Sequence, residues 1–121
     1  MTNDTRYANQ RHLSRINIEA AWAVSTGEGI TIAVLDGGIH PHPDLAANLL
    51  PGWCVITESA TFSVVDEHST ACAGIAAAVT NNNLGHAGVA PDAKILPIRV
   101  RTTSSTAPTR IIQGLVKAAE M

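Results

Sequence analysis

The chain has 121 residues, a length that accommodates one domain with one core and not two. Apolar residues make up 45% and charged residues 15%, the balance of a globular chain, and a formal charge of −2 offers no basic field for nucleic acid or an anionic membrane. Aromatic residues are only 3%, so any core is assembled from Ala, Val, Ile and Leu, and no apolar run approaches the length of a membrane span.

In chain order, the opening stretch MTNDTRYANQRHLSR is polar and lacks the apolar segment of a signal peptide, which makes a cytoplasmic location the default expectation. Residues 17–23, NIEAAWA, predict a short helix with Asn17 as its cap and Glu19 in the first turn. GEG at 27–29 breaks the chain before ITIAVLD (30–36), a short branched run apolar on both faces, which predicts a buried parallel strand ending at Asp36. HPHPDL (40–45) carries two prolines and predicts a loop, and GWCVIT (52–57) a second strand. Residues 69–79 predict a helix of small residues, and NNNLGHAG (81–88) a turn-rich loop. AKILPIRV (93–100) predicts a third strand near a sheet edge, because Pro97 cannot donate to a ladder. Residues 109–121 predict a helix capped by Thr109, with Ile111, Ile112, Leu115, Val116 and Ala119 on one face. Strands alternating with helices imply an open α/β sheet in which the final helix is followed by no further strand. The two cysteines, Cys54 and Cys72, have neither metal-type nor disulfide-framework spacing and read as small buried thiols.

Two residues combine into a chemical hypothesis. Asp36 sits at the carboxyl end of a buried strand, where open α/β sheets place their sites and where a carboxylate needs hydrogen bonds to offset its desolvation. It also fits a plain cap on the turn into Gly37 and Gly38. His68 opens a helix, whose positive end disfavours an imidazolium and favours the neutral ring a general base needs, although a helix-start histidine without a task fits equally. If Asp36 accepts the Nδ1–H of His68, the tautomer is set and Nε2 is free to take a proton from a nucleophile.

The motifs around these residues resemble a known family. IAVLDGGIHPHPDL resembles the aspartate motif of the subtilisin-like serine proteases, and DEHSTACAGIAAA their histidine motif. NNNLGHAGVAPDAKILPIRV is similar to the next block of that family, and RIIQGLVKAA to the helix after it, with Gly114 at its interior place. Four blocks in the family's order cover roughly residues 7–121. The resemblance implies a three-layer α/β/α fold with a mostly parallel sheet, truncated at its C-terminal side, so that residues 1–121 form the N-terminal portion of a peptidase domain with one sheet edge and one face of the final helix uncovered. It implies that Asp36 and His68 are the triad acid and base, that Ser104, Ser105 and Thr106 form the edge that pairs with an extended polypeptide substrate, and that Asp44 and Asn82 help hold a structural calcium ion, which needs hard oxygen ligands. Read only as residues, Asp44 and Asn82 are equally turn residues.

The chain also departs from the family. Ser69 stands where the family has Gly, adding a Cβ that crowds substrate or caps the helix, and Ala71 and Cys72 replace the usual His and Val. The nucleophile motif Gly-Thr-Ser-Met-Ala-x-Pro is absent, as is the oxyanion asparagine, and no other serine is placed to serve. Three readings follow: a serine endopeptidase part whose nucleophile comes from a second chain or a missing C-terminal segment; a catalytically inactive remnant or interaction module; and a metal-dependent hydrolase using His40 and His42 with Asp36 or His68. A dinucleotide role fails because the G-x-G-x-x-G spacing is missing.

Overall fold

The computed structural model describes residues 2–121. TIAVLD forms strand β1 (Thr31–Asp36), with Ile32 and Val34 on one face and Leu35 on the other. Strands β2 (Trp53–Cys54) and β3 (Lys94–Arg99) complete a three-stranded sheet of order β1-β3-β2, with β1 and β2 both parallel to β3. The register sets Asp36 beside Arg99, so both long strands deliver a charged residue to the same end of the sheet.

Helix α3 (His68–Ala77) covers one face. Its Ala73 and Ala77 are fully buried and pack with Ile95, Ile32 and Val34, a close approach that only small side chains permit. Helix α4 (Pro108–Glu120) covers the other face, where Ala118 joins Leu35, Leu96, Ile98 and Val100. The result is the three-layer α/β/α arrangement. A smaller cluster holds the N-terminal part: α1 (Arg11–Arg15) and α2 (Ile18–Trp22) bury Leu13 and Ile18 against Ala87. Buried Gln10 donates to the Ala87 carbonyl and accepts from its N–H, and the Trp22 indole N–H donates to the Val89 carbonyl.

Several expectations need correction. Strand β3 is central rather than near an edge. Lys94 donates to Ile30 and Ile95 to Asn48, so alternation turns the ring nitrogen of Pro97 toward the second strand. There the ladder is already interrupted, between the Leu49–Ile95 bridge and the Trp53–Ile98 pair. Strand β2 is two residues long, because Cys54 and Ser59 exchange both backbone bonds and the chain turns back on itself. Helix α3 begins at His68 and ends at Ala77; Gly88 crosses so close to its end that an added Cβ would overlap the Ala78 nitrogen. Asn17 precedes α2 with φ 54° and makes no side-chain cap. Helix α4 starts one residue before Thr109, with Pro108 in its first turn after an extended Ala107, as suits a residue without an N–H. Helix α1 escaped the reading because Leu13 is its one buried residue.

The apolar face expected on α4 turns outward. Ile111, Ile112, Leu115 and Val116 are 41–61% exposed, and the helix meets the sheet through Gly114 and Ala118 instead. Among the described residues β1 pairs on one side only.

A Cβ added at Gly114 would come within 2.5 Å of Val100 Cγ1 and 3.1 Å of Leu35 Cδ2. Overpacking of that kind costs about 1–3 kcal/mol, against roughly 1 kcal/mol gained by replacing a mid-helix glycine with alanine. Gly114→Ala is therefore expected to destabilise the chain by about 1 kcal/mol in urea unfolding, and Gly114→Val by more.

Candidate active site

Asp36 ends β1 and His68 begins α3, and the two elements bring the side chains together across the strand ends. Asp36 Oδ2 lies 2.5 Å from His68 Nδ1. An ionised carboxylate can only accept, so Nδ1 carries the proton and Nε2 becomes the ring's free nitrogen. The imidazole side chain is 68% exposed and lines an open cleft with Leu35, Asp66, Val100, Arg101, Thr106 and Ile111. Cys72, one turn along α3, places its sulfur 3.8 Å from Nε2 and 4.0 Å from Nδ1. Cys72 is exposed, which corrects the expectation of two buried thiols; Cys54 is buried as expected.

The other carboxylate oxygen is also occupied. Asp36 Oδ1 accepts the Gly37 N–H at 2.7 Å and Arg101 Nε–H at 2.8 Å. Arg101 donates through Nη2 to Asp66 Oδ2 at 2.5 Å, and Asp66 Oδ1 accepts the backbone N–H of His68 at 3.0 Å. Gly38, with φ +94°, turns the chain away behind this knot into a conformation that disfavours other residues. Burial of Asp36 works to raise its pKa, but the Arg101 guanidinium, the His68 ring and the Gly37 N–H together hold it below the ordinary carboxylate value. The Arg101 hydrogen bond likewise lowers Asp66, and the two carboxylates raise Arg101.

Ser69 neither crowds the cleft nor caps the helix. It is fully buried, and its Oγ accepts the Gly37 N–H at 3.1 Å, tying α3 to the turn that follows Asp36. Of the expected substrate edge, Thr106 lines the cleft. Ser104 and Ser105 are exposed in a loop closed on Thr102, whose N–H donates to the Ser105 carbonyl. Of the His40–His42 pair, His42 does not line this cleft, and its Nδ1 accepts the Asp44 N–H at 3.1 Å.

Asp44 and Asn82 do meet. Asn82 Nδ2 donates to Asp44 Oδ1 at 2.8 Å, and His86 N donates to Oδ2 at 2.8 Å. Gly85 permits this approach: at φ +43°, a Cβ there would lie against Asp44 Oδ2. Asp4, absent from the sequence reading, is buried beside the same loop and accepts from Asn81 N and Asn82 N. Two buried carboxylates therefore face one loop, and among the described residues no cationic side chain bonds either. Among those residues no three His, Cys, Asp or Glu side chains converge as a preformed metal centre. The carboxylate oxygens of Asp44 and Asp4 suit a hard cation in their chemistry, but Asn82 turns its amide nitrogen toward Asp44 while its Oδ1 accepts the Leu84 N–H at 2.9 Å, so the set is not a finished cage.

Comparison with known proteins places these observations. The model of the Subtilase family matches residues 27–121. Thermitase of Thermoactinomyces vulgaris is 39% identical over 98% of the chain and 43% of its own length. A calcium-dependent protease of Trichormus variabilis is 41% identical over 69% of the chain and 13% of its own length. A solved protease structure from Pseudoalteromonas arctica superposes with a TM-score of 0.84 at 34% identity, covering 95% of the chain and 43% of that protein. The fold is thus subtilisin-like. The chain spans less than half the length of these curated relatives.

The ion-pair knot has a consequence for acid stability. Asp36 and Asp66 have folded pKa values below those of the unfolded chain, near 3.9. Their stabilisation is full above about pH 4 and is lost as the pH falls through the folded values. Urea midpoints are expected to fall below about pH 4, and to fall less steeply in Arg101→Leu.

Proposed function

Because this chain belongs to the subtilase family, we propose that it supplies the acid and base of a serine endopeptidase acting on polypeptide, with residues 1–121 as the N-terminal portion of the peptidase domain. The observation that carries the reading is the 2.5 Å contact between Asp36 Oδ2 and His68 Nδ1 at the rim of an open cleft.

In this mechanism His68 Nε2 takes the proton of a serine hydroxyl as that oxygen attacks the peptide carbonyl. Asp36 steadies the imidazolium so formed. The ring passes the proton to the leaving amine, and water then hydrolyses the acyl-enzyme by the same base. The serine and its oxyanion donors come from a missing C-terminal segment or a second chain, because the nucleophile motif is absent from these 121 residues. Among the described residues the ring nitrogens of His68 meet Asp36 and Cys72 and no hydroxyl. The outward apolar face of α4 and the open side of β1 supply the surface such a segment covers. Thr106, with Ser104 and Ser105 beside it, forms the edge for extended substrate.

The same exposed face favours a second reading, an inactive interaction module that binds a partner there and performs no chemistry. One experiment separates the two. A serine-directed fluorophosphonate is expected to leave the chain alone unlabelled. Mixed with a subtilase C-terminal segment bearing the serine motif, the chain is expected to give labelling and peptide hydrolysis, reduced at least about a thousandfold by His68→Ala. Binding without labelling or hydrolysis selects the module, and labelling of the chain alone overturns the account of the missing nucleophile.

Calcium belongs to the proposal as a structural ion held by Asp44 and Asn82, with Asp4 adjoining. Bound there it neutralises the two buried carboxylates and takes no part in the reaction. Calcium is expected to raise the melting temperature of the chain in a concentration-dependent way, and chelator to reverse it, with Asp44→Asn abolishing the response. A melting temperature indifferent to calcium removes the ion from the proposal.

A further inference from the structure

We infer that Arg101 is a positioning residue for the Asp36–His68 pair, acting with Asp66 as a brace that aims one oxygen of Asp36 at the imidazole. This rests on the reading of Asp36 and His68 as the acid–base pair. A carboxylate can pivot about its last bond and present either oxygen. Here Oδ1 is held by two donors from separate parts of the chain, Gly37 N and Arg101 Nε, so Oδ2 is left facing His68.

Arg101 is itself fixed. Its Nη2 reaches Asp66 Oδ2, while Asp66 Oδ1 holds the backbone N–H from which the His68 ring is hung. The four residues close a circuit: Asp36 to the imidazole, the His68 backbone to Asp66, Asp66 to the guanidinium, and the guanidinium back to Asp36. Three chain segments meet in it, the end of β1, the turn before α3 and the residues after β3. The carboxylate cannot pivot without breaking its charge-assisted bond to Arg101, and the ring that it holds cannot rotate without losing its bond to Asp36. The planar fork is what spans two carboxylates from Nε and Nη2; an ammonium is a point charge and offers no such geometry. The Arg101 side chain is 26% exposed and that of Asp36 14%, so the bond between them is less open to water than a surface ion pair, whereas Asp66 at the outer end is 42% exposed.

The test is proton NMR of the 121-residue chain, with the His68 Nδ1–H signal assigned by nitrogen-15 labelling of histidine and by its loss in His68→Gln. A proton shared with a carboxylate resonates downfield of the backbone amides and exchanges slowly with water. In Arg101→Leu its exchange is expected to rise at least about tenfold, the equivalent of losing one hydrogen bond to a charged group. Arg101→Lys is expected to fall between, and Asp66→Asn to follow Arg101→Leu. A role confined to holding the fold together lowers the melting temperature without changing this exchange at equal distance below each variant's transition. Unchanged exchange in a folded Arg101→Leu overturns the brace. Should that variant fail to fold, unchanged exchange in both Arg101→Lys and Asp66→Asn overturns it. A folded parent chain without the signal removes the pair and the brace together. A signal that depends on Arg101, in a chain that hydrolyses nothing when completed with a serine segment, removes the peptidase reading and leaves the brace standing.

Discussion

Asp36 leaves the sheet with one carboxylate oxygen on His68 and the other on Gly37 and Arg101, and the cleft is organised around that division. A carboxylate at a strand end is costly unless its lone pairs are used, and here the donors come from the turn, the neighbouring strand's continuation and the helix on the sheet's face. The parallel register of β1 on β3 makes this possible, since it brings Asp36 and Arg99 to the same level and lets Arg101 fold back two residues later. Val100 and Arg101 both donate their backbone N–H groups to the Asp36 carbonyl, so the strand end is pinned by main chain as well as side chain.

Packing around this point relies on small residues. Ala73 and Ala77 let α3 lie close to the sheet, which brings His68 within reach of Asp36, and Gly114 does the same for α4 on the opposite face. Ser69 is the instructive departure from the family pattern. Its added Cβ is accommodated in the interior, and its hydroxyl becomes a further link from α3 to Gly37. The substitution moves a polar group into the scaffold behind the site, not into the cleft.

The N-terminal part serves a different end. Gln10, Trp22 and the carboxylate of Asp4 fasten it to residues 81–89, the loop that also surrounds Asp44. That loop leads through residues 90–93 into β3, so the calcium candidate and the central strand lie close together along the chain.

Much of this was legible in order along the chain. ITIAVLD and AKILPIRV read as strands, residues 69–79 as a helix, and Asp36 and His68 as a pair, because branched apolar runs and motif spacing are local properties. Pro97 misled, since its missing N–H says only that one neighbour is interrupted and not where the strand lies in the sheet. The helix at 11–15 was invisible because one buried leucine makes no period. The roles of Arg101 and Asp4 could not be read at all. Each is set by a partner dozens of residues away: Asp36 lies 65 residues before Arg101, and Asn81 lies 77 after Asp4. Composition and short-range pattern in the sequence alone determined most of the elements and the parallel α/β class, and its motifs, by their resemblance, singled out Asp36 and His68. Only the tertiary structure decided which oxygen of Asp36 meets the ring and what holds the other, because hydrogen bonds between distant segments exist only once the sheet has brought their ends together.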